Sequence, residues 1–222
     1  MTLRVLTWNL MHGRSLPGAG RDLFDDFADA IEAWEWDVAL LQEAPPWWPA
    51  PLAQRTGAQP LSVLTSRNFG RPLRQALAVR WPDLMRSGGG GANAILVRGR
   101  EVLEHRRLRL TWWPERRWMH AVRLAAGCGW VGNLHATAHH ERRARDEARA
   151  AEAALLDWAA GEPVVLGGDF NVRGLGLEQL VPVASLDVDY VFAAAGWRAG
   201  GSAVVPERGT LSDHAPLVVT LA

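Results

Sequence analysis

No lysine occurs anywhere in the 222 residues, cysteine and tyrosine occur once each, and the formal charges cancel, 24 basic against 24 acidic. The single cysteine, Cys128, excludes an internal disulfide and a cysteine-based zinc site, and it fits a reducing compartment. A chain without net charge lacks the global positive field that holds proteins to duplex DNA or to anionic membranes, so any nucleic-acid contact must be local. No run of about 20 apolar residues is present to span a bilayer. The chain enters Leu3-Arg4-Val5-Leu6-Thr7-Trp8 without the basic stretch and apolar core of a signal peptide. A soluble, cytoplasmic protein is therefore expected, without membrane insertion and acting as a monomer. The glycine run Gly88 to Gly91 is not followed by Gly-Lys-Ser/Thr, which argues against a phosphate-cradling loop and for a flexible connection. Internal repeats of the kind that build solenoids are also missing.

What is present resembles an average globular chain, 48% hydrophobic and 22% charged, and residues 1–222 read as a single domain. Leu3 to Trp8 reads as a buried strand, broken by the Gly13 to Gly20 stretch. The spacing predicts a helix over Asp22 to Trp36, with Leu23, Phe24, Phe27, Ile31 and Trp34 on one face. Val38 to Leu41 is an apolar run of strand length, ended by the proline-rich loop Pro45 to Pro49. This strand, helix, strand opening marks an α/β layer fold. Further strands are expected at Leu61 to Leu64, Ala76 to Val79, Ala94 to Val97, Val102 to Leu110 and Met119 to Leu124, with short gaps that suggest antiparallel neighbours. After them come a strand at Gly129 to His135, a helix at Glu141 to Ala160, and strands at Pro163 to Gly167, Asp189 to Phe192 and Pro216 to Leu221.

Five of these strands end at, or run beside, a polar residue able to hold metal or phosphate: Asn9, Glu43, His135, Asp169 with Asn171, and the Asp213-His214 pair. Each has an ordinary structural explanation when taken alone. Asn9 and Glu43 satisfy backbone groups at strand ends, Asp169-Phe170-Asn171 makes a turn, and His135 is a hydrogen-bonded core histidine. Independent turns have no reason to carry this particular set of ligand types together. A sheet fixes residues at its strand ends while loops admit a substrate. Carboxylates with an asparagine and a histidine form a hard, oxygen-rich pocket suited to Mg²⁺ or Mn²⁺ rather than zinc, and that chemistry favours phosphate esters.

Thr7-Trp8-Asn9, Leu41-Gln42-Glu43, Gly91-Ala92-Asn93-Ala94-Ile95-Leu96, Asn133-Leu134-His135, Gly168-Asp169-Phe170-Asn171, Asp189-Tyr190-Val191-Phe192 and Ser212-Asp213-His214-Ala215-Pro216-Leu217 follow one another in this order. In these segments the chain resembles the endonuclease/exonuclease/phosphatase family, the superfamily of deoxyribonuclease I, over nearly its whole length. The resemblance implies a four-layer α/β sandwich, two packed mixed or antiparallel sheets flanked by helices, and a divalent-metal phosphoesterase at one edge. Glu43 would be the main metal ligand, with Asn9 and Asp213. Asp169, oriented with Asn171, would position or deprotonate the attacking water. His214, hydrogen-bonded to Asp189, would hold the scissile phosphate, and His135 would contact another of its oxygens. Asn93 falls in a matching segment and counts with the substrate-binding residues.

Two departures narrow the substrate. Ser212 follows Asp169 by only 43 positions, so groove-shaping insertions are reduced, and the lone Tyr190 leaves no separate phosphate-contacting tyrosine. Arg116 or Arg117, before a strand, could supply a guanidinium to phosphate or simply be solvated. Arg98 to Arg123 holds eight arginines against three acids, either a footprint for a phosphate-rich ligand or one exposed strand face balanced elsewhere. In Trp47-Trp48 and Trp112-Trp113 adjacent side chains cannot both be core, which makes Trp48 and Trp113 candidates for stacking on a base, sugar or lipid chain. The expected substrate is thus single-stranded nucleic acid or a small phosphoester. The alternatives are a duplex DNA endonuclease or exonuclease and a non-catalytic binding module that keeps the fold.

Overall fold

The computed structural model describes residues 2–65, 68–113, 115–194 and 196–222. In chain order the elements are β1 (Leu3–Asn9), α1 (Phe24–Ala33), β2 (Val38–Ala44), α2 (Pro49–Thr56), β3 (Ala58–Leu64), α3 (Arg71–Arg80), α4 (Pro82–Met85), β4 (Ala92–Arg98), β5 (Val102–Thr111), β6 (Arg117–Leu124), β7 (Gly129–His135), α5 (Glu141–Ala159), β8 (Val164–Asp169), β9 (Val181–Leu186), β10 (Asp189–Ala194) and β11 (Leu217–Leu221). Short 3-10 turns lie at Met11–Gly13 and Arg86–Gly89. The strands form two sheets, β11-β1-β2-β4-β3 and β5-β6-β7-β8-β10-β9. Both are mixed: β1 with β2 and β7 with β8 are parallel, and the remaining pairs are antiparallel.

Alternation along the strands assembles the layers. Leu3 and Val5 of β1 and Val38 and Leu40 of β2 face the second sheet, where Val122, Val131, Val165 and Val191 meet them in one buried cluster. The intervening residues Leu6, Trp8, Ala39 and Leu41 face outward and are covered by Phe27 and Ile31 of α1 and Leu52 of α2. On the other side Trp130, Leu134, Leu166 and Phe192 are covered by Ala144, Ala148, Ala151 and Leu155 of α5. Helix, sheet, sheet, helix is the expected four-layer sandwich.

Three expectations change. Ala76 to Val79 is the end of α3 rather than a strand, because Pro72 opens a helix and the alanine and leucine that follow favour it. The proline-rich stretch after β2 is not all loop: Pro49 starts α2, and Gly57, at φ 65°, ends it. Arg86–Gly89 is a helical turn, and it leads into the cavity wall at Gly90 and Gly91 rather than into a free connection. β9 and α4 had no distinguishing pattern in the sequence. No helix of the described residues is long and apolar enough to cross a membrane.

Polar side chains also occupy the gap between the sheets. Gln42 Nε2 donates to Thr7 Oγ1 (3.2 Å), Leu40 O (3.0 Å) and Asn133 Oδ1 (2.8 Å), while Asn133 Nδ2 donates to Leu41 O (3.1 Å) and Ala94 O (2.9 Å). Asn133 lies on β7 and its partners on the first sheet, so these bonds fix how the sheets sit on one another. Removing one partner strands the others in a dry interior. Asn133→Leu is expected to lower stability by about 2–4 kcal/mol in urea unfolding; a loss below about 0.5 kcal/mol would show that the bridge does not hold the sheets.

Candidate active site

The inward-facing alternation that builds the core continues to the strand ends. Asn9 on β1, His135 on β7, Asp169 on β8 and Asp189 on β10 each lie an even number of residues from the inward-facing apolar residues of their strand. Sheet register places His135 opposite Asp169 and Asp169 opposite Asp189. From the facing sheet Asn9 Nδ2 donates to Asp169 Oδ2 at 2.9 Å, and Asn9 Oδ1 accepts from Met11 N at 2.9 Å. Asn171 N donates to Asp169 Oδ1 at 2.9 Å, and its side-chain amide donates to Ala136 O. Alternation alone would send Glu43 outward. The β2–β4 register shifts between Leu41 and Ala44, and Glu43 takes φ 49°, so a bulge turns its carboxylate toward the other residues. Glu43 Oε1 lies 3.7 Å from His135 Nε2, which is 3.6 Å from Asp169 Oδ2.

His214 precedes β11. Its backbone N–H donates to Ser212 Oγ, its carbonyl accepts from Trp8 Nε1, and Ser212 Oγ donates to Asn9 O. The ring is thereby held with Nδ1 2.8 Å from Asp189 Oδ2 and Nε2 3.8 Å from Asp169 Oδ2. Burial would lower its pKa, but the hydrogen bond and charge of Asp189, with the charges of Asp169 and Asp213, prevail and raise it to about 9. Burial, aided by the charge of Asp189, raises Asp169 to about 7. Burial and then the Arg117 charge hold His135 well below the ordinary histidine range. Arg117 NH1 meets His135 Nδ1 at 3.1 Å, and a guanidinium can only donate, so the proton of neutral His135 sits on Nε2, facing Glu43 and Asp169.

A cavity of about 530 Å³ opens beside Glu43 and His135, lined also by Asn93, Arg116, Arg117, Ser87 and His139. Asn93 is fully buried with Oδ1 unpartnered, and Arg117 is buried, with NH2 on Glu115 at 2.7 Å. Of the eight arginines from Arg98 to Arg123, Arg116 and Arg117 are the ones in the wall. Arg98 lies over Trp36, Arg100 donates to Thr2 O, and Arg106 and Arg123 pair with Glu104 and Glu162. Trp113 is 78% exposed. Trp48 is not available for stacking: it is 3% exposed, packed on Phe24 and Phe27, because α2 folds the loop back over the helix layer. Asp213 is exposed, with Ser212 Oγ at 3.5 Å as its polar contact.

His12, which the strand-end pattern did not select, is also here, with Nε2 3.1 Å from Glu43 Oε2 and Nδ1 3.2 Å from Gly90 O. Its signal was faint, one histidine before Gly13 in a loop without periodicity. Left-handed backbone marks this region. Met11, His12, Glu43, His139, Asn171 and Ser212 all have positive φ, among ten such non-glycine residues described. Strain of this kind persists only where the surroundings over-determine it.

The sequence model of the Endonuclease/Exonuclease/phosphatase family matches residues 6–214. The chain belongs to this family. No curated protein matches it significantly. Among solved structures, an endonuclease/exonuclease/phosphatase from Beutenbergia cavernae is 20% identical with a TM-score of 0.73, covering 99% of this chain and 71% of that one. One from Bacteroides vulgatus is 16% identical, TM-score 0.73, covering 100% and 99%. Truncated TDP2 from Caenorhabditis elegans is 16% identical, TM-score 0.70, covering 100% and 98%. At these identities the neighbours speak for the fold.

Family members hydrolyse phosphoesters, generally with a divalent cation. The residues here fit such an ion at Glu43: among the described residues the groups that meet its carboxylate are the His12 and His135 rings and not an arginine, and Asn9 Oδ1 keeps a lone pair beyond its bond to Met11. Asp169, Asp189 and His214 also bring ligand atoms within 4.8 Å of one another. That trio fits less well, because His214 Nδ1 and Asp189 Oδ2 already satisfy one another at 2.8 Å. A histidine raised from 6.5 to about 9 contributes stability that is complete below pH 6.5 and is lost as pH rises through 9. In the metal-free protein Asp189→Asn should lower the His214 titration by roughly two units, read by NMR; a midpoint still near 9 would remove Asp189 as the cause.

Proposed function

We propose that the protein is a divalent-metal-dependent phosphoesterase that cleaves a small phosphoester or single-stranded nucleic acid by in-line attack of water. One observation carries this reading: the buried carboxyl of Asp169 and the ring of His214, itself oriented by Asp189, stand 3.8 Å apart at a strand-end site built from both sheets. Asp169, held by Asn9 and Asn171, orients the attacking water and takes its proton, and a pKa of about 7 suits that task. His214, oriented by Asp189, presents a charged N–H to the phosphoryl oxygens as negative charge develops. His135 offers its Nε2 proton to another oxygen. Glu43 and Asn9 hold the cation, with Asp213 as a ligand from the rim. Mg²⁺ or Mn²⁺, when bound, supplies Lewis-acid neutralisation of the phosphate. Asn93, Arg116 and Arg117 receive the remainder of the substrate from the cavity wall.

Two arginines at the cavity are too few for a nonspecific duplex binder, which relies on many simultaneous phosphate contacts. Exposed Trp113 gives an unstacked base a platform. A non-catalytic module would have no use for the converged acid, carboxyl and imidazolium.

Hydrolysis of bis-nitrophenyl phosphate, a phosphomonoester, a single-stranded oligonucleotide and plasmid duplex should be compared with Mg²⁺ and Mn²⁺ in parallel. Activity should vanish in chelator, and Glu43→Gln, Asp169→Asn and His214→Ala should each cost about 10²–10⁴-fold in kcat, the last two without additivity. Undiminished turnover in excess chelator would sink the metal-dependent reading, and rapid salt-sensitive duplex nicking would overturn the substrate preference. Trp113→Ala should raise KM for the oligonucleotide several-fold, since base stacking contributes about 1–3 kcal/mol. Trp48→Ala should instead cost about 3–5 kcal/mol of stability; unchanged rates in Trp113→Ala would remove stacking from the account.

A further inference from the structure

Resting on the metal-dependent reading above, we infer that His12 is a nitrogen ligand of the same cation as Glu43 and biases the site toward transition-metal ions over Mg²⁺. His12 Nδ1 faces Gly90 O at 3.2 Å, and a carbonyl only accepts, so this nitrogen carries the proton. The other nitrogen, Nε2, faces Glu43 Oε2 at 3.1 Å, and both residues line the same cavity. A backbone carbonyl on the far nitrogen is the usual partner of a metal-bound histidine, and it aims Nε2 at the place where Glu43 would hold the ion.

The spacing fits. Two ligands about 2.1 Å from one ion and at right angles lie about 3.0 Å apart. The chain also holds His12 in place at some conformational expense. Met11, His12 and Gly13 are left-handed in succession, at φ 48°, 55° and 75°. A Cβ on Gly13 would stand 2.5 Å from the Trp48 ring, and one on Gly91 would stand 3.3 Å from His12 Cε1. The buried Trp48 thus supports the loop from beneath, and Gly91 leaves the ring room above. Imidazole nitrogen beside carboxylate oxygen suits first-row transition ions, whereas Mg²⁺ prefers oxygen alone.

Pulsed EPR on the Mn²⁺-loaded protein tests this without turnover. The wild type should show hyperfine coupling from a directly bound imidazole nitrogen. His12→Gln should lose it, and His135→Gln should keep it, since His135 Nε2 carries a proton. By calorimetry His12→Gln should weaken Mn²⁺ binding about tenfold or more and Mg²⁺ binding less, given the 10–100-fold usual for groups around a metal. Circular dichroism and melting of both variants establish that they are folded. The wild-type spectrum needs no variant: Mn²⁺ bound without nitrogen coupling overturns the role of His12 and leaves the phosphoesterase reading standing. Coupling that survives in folded His12→Gln also overturns it. Failure of Mn²⁺ to bind the wild type at all overturns the metal reading itself.

Discussion

The 2.9 Å hydrogen bond from Asn9 to Asp169 joins the ends of strands from two sheets that share no strand of their own. Everything in the site hangs from that seam. Asp169 is opposite His135 on one side and Asp189 on the other, and Asp189 fixes His214. Asn9 is held in turn through its backbone carbonyl by Ser212, whose hydroxyl also positions His214. A displacement of one sheet over the other would therefore pull Asn9, and the backbone that carries His214, away from Asp169. The Gln42–Asn133 bridge, set deeper between the same sheets, opposes that displacement.

Burial at this seam sets the chemistry as well as the geometry. Asp169 lies in a dry environment next to a second carboxylate, which disfavours its charged form, while His214 gains more from three nearby carboxylates than it loses by burial. Both shifts run in the direction that the proposed roles of Asp169 as base and His214 as a positive charge require. The same dry setting keeps His135 neutral, with Arg117 deciding which nitrogen bears its proton.

Much of this was legible in the sequence, for physical reasons that differ by residue. Asn9, His135, Asp169 and Asp189 continue the period-two alternation of strands whose apolar residues were evident, so finding the strands located the residues. The position of Glu43 could be read from its motif but not its direction, because a bulge with positive φ interrupts the alternation. His12 was silent: loop conformation leaves no periodic trace. Trp48 and Trp113 look alike as members of tryptophan pairs, and only the return of α2 over the outer layer makes one core and the other surface. Ala76 to Val79 was ambiguous because a short apolar run between arginines suits a strand or a helix, and Pro72 upstream decided it.

The central claim is that the catalytic cation belongs at Glu43 and Asn9, on the first-sheet side of the seam, leaving Asp169 free to handle water. Crystals of the protein soaked in Mn²⁺ and measured for anomalous scattering would locate the ion directly. The account predicts a peak about 2.2 Å from a Glu43 carboxylate oxygen and within coordination distance of Asn9 Oδ1, with His214 still paired to Asp189. A peak enclosed by Asp169, Asp189 and His214, with Glu43 bare, would contradict it.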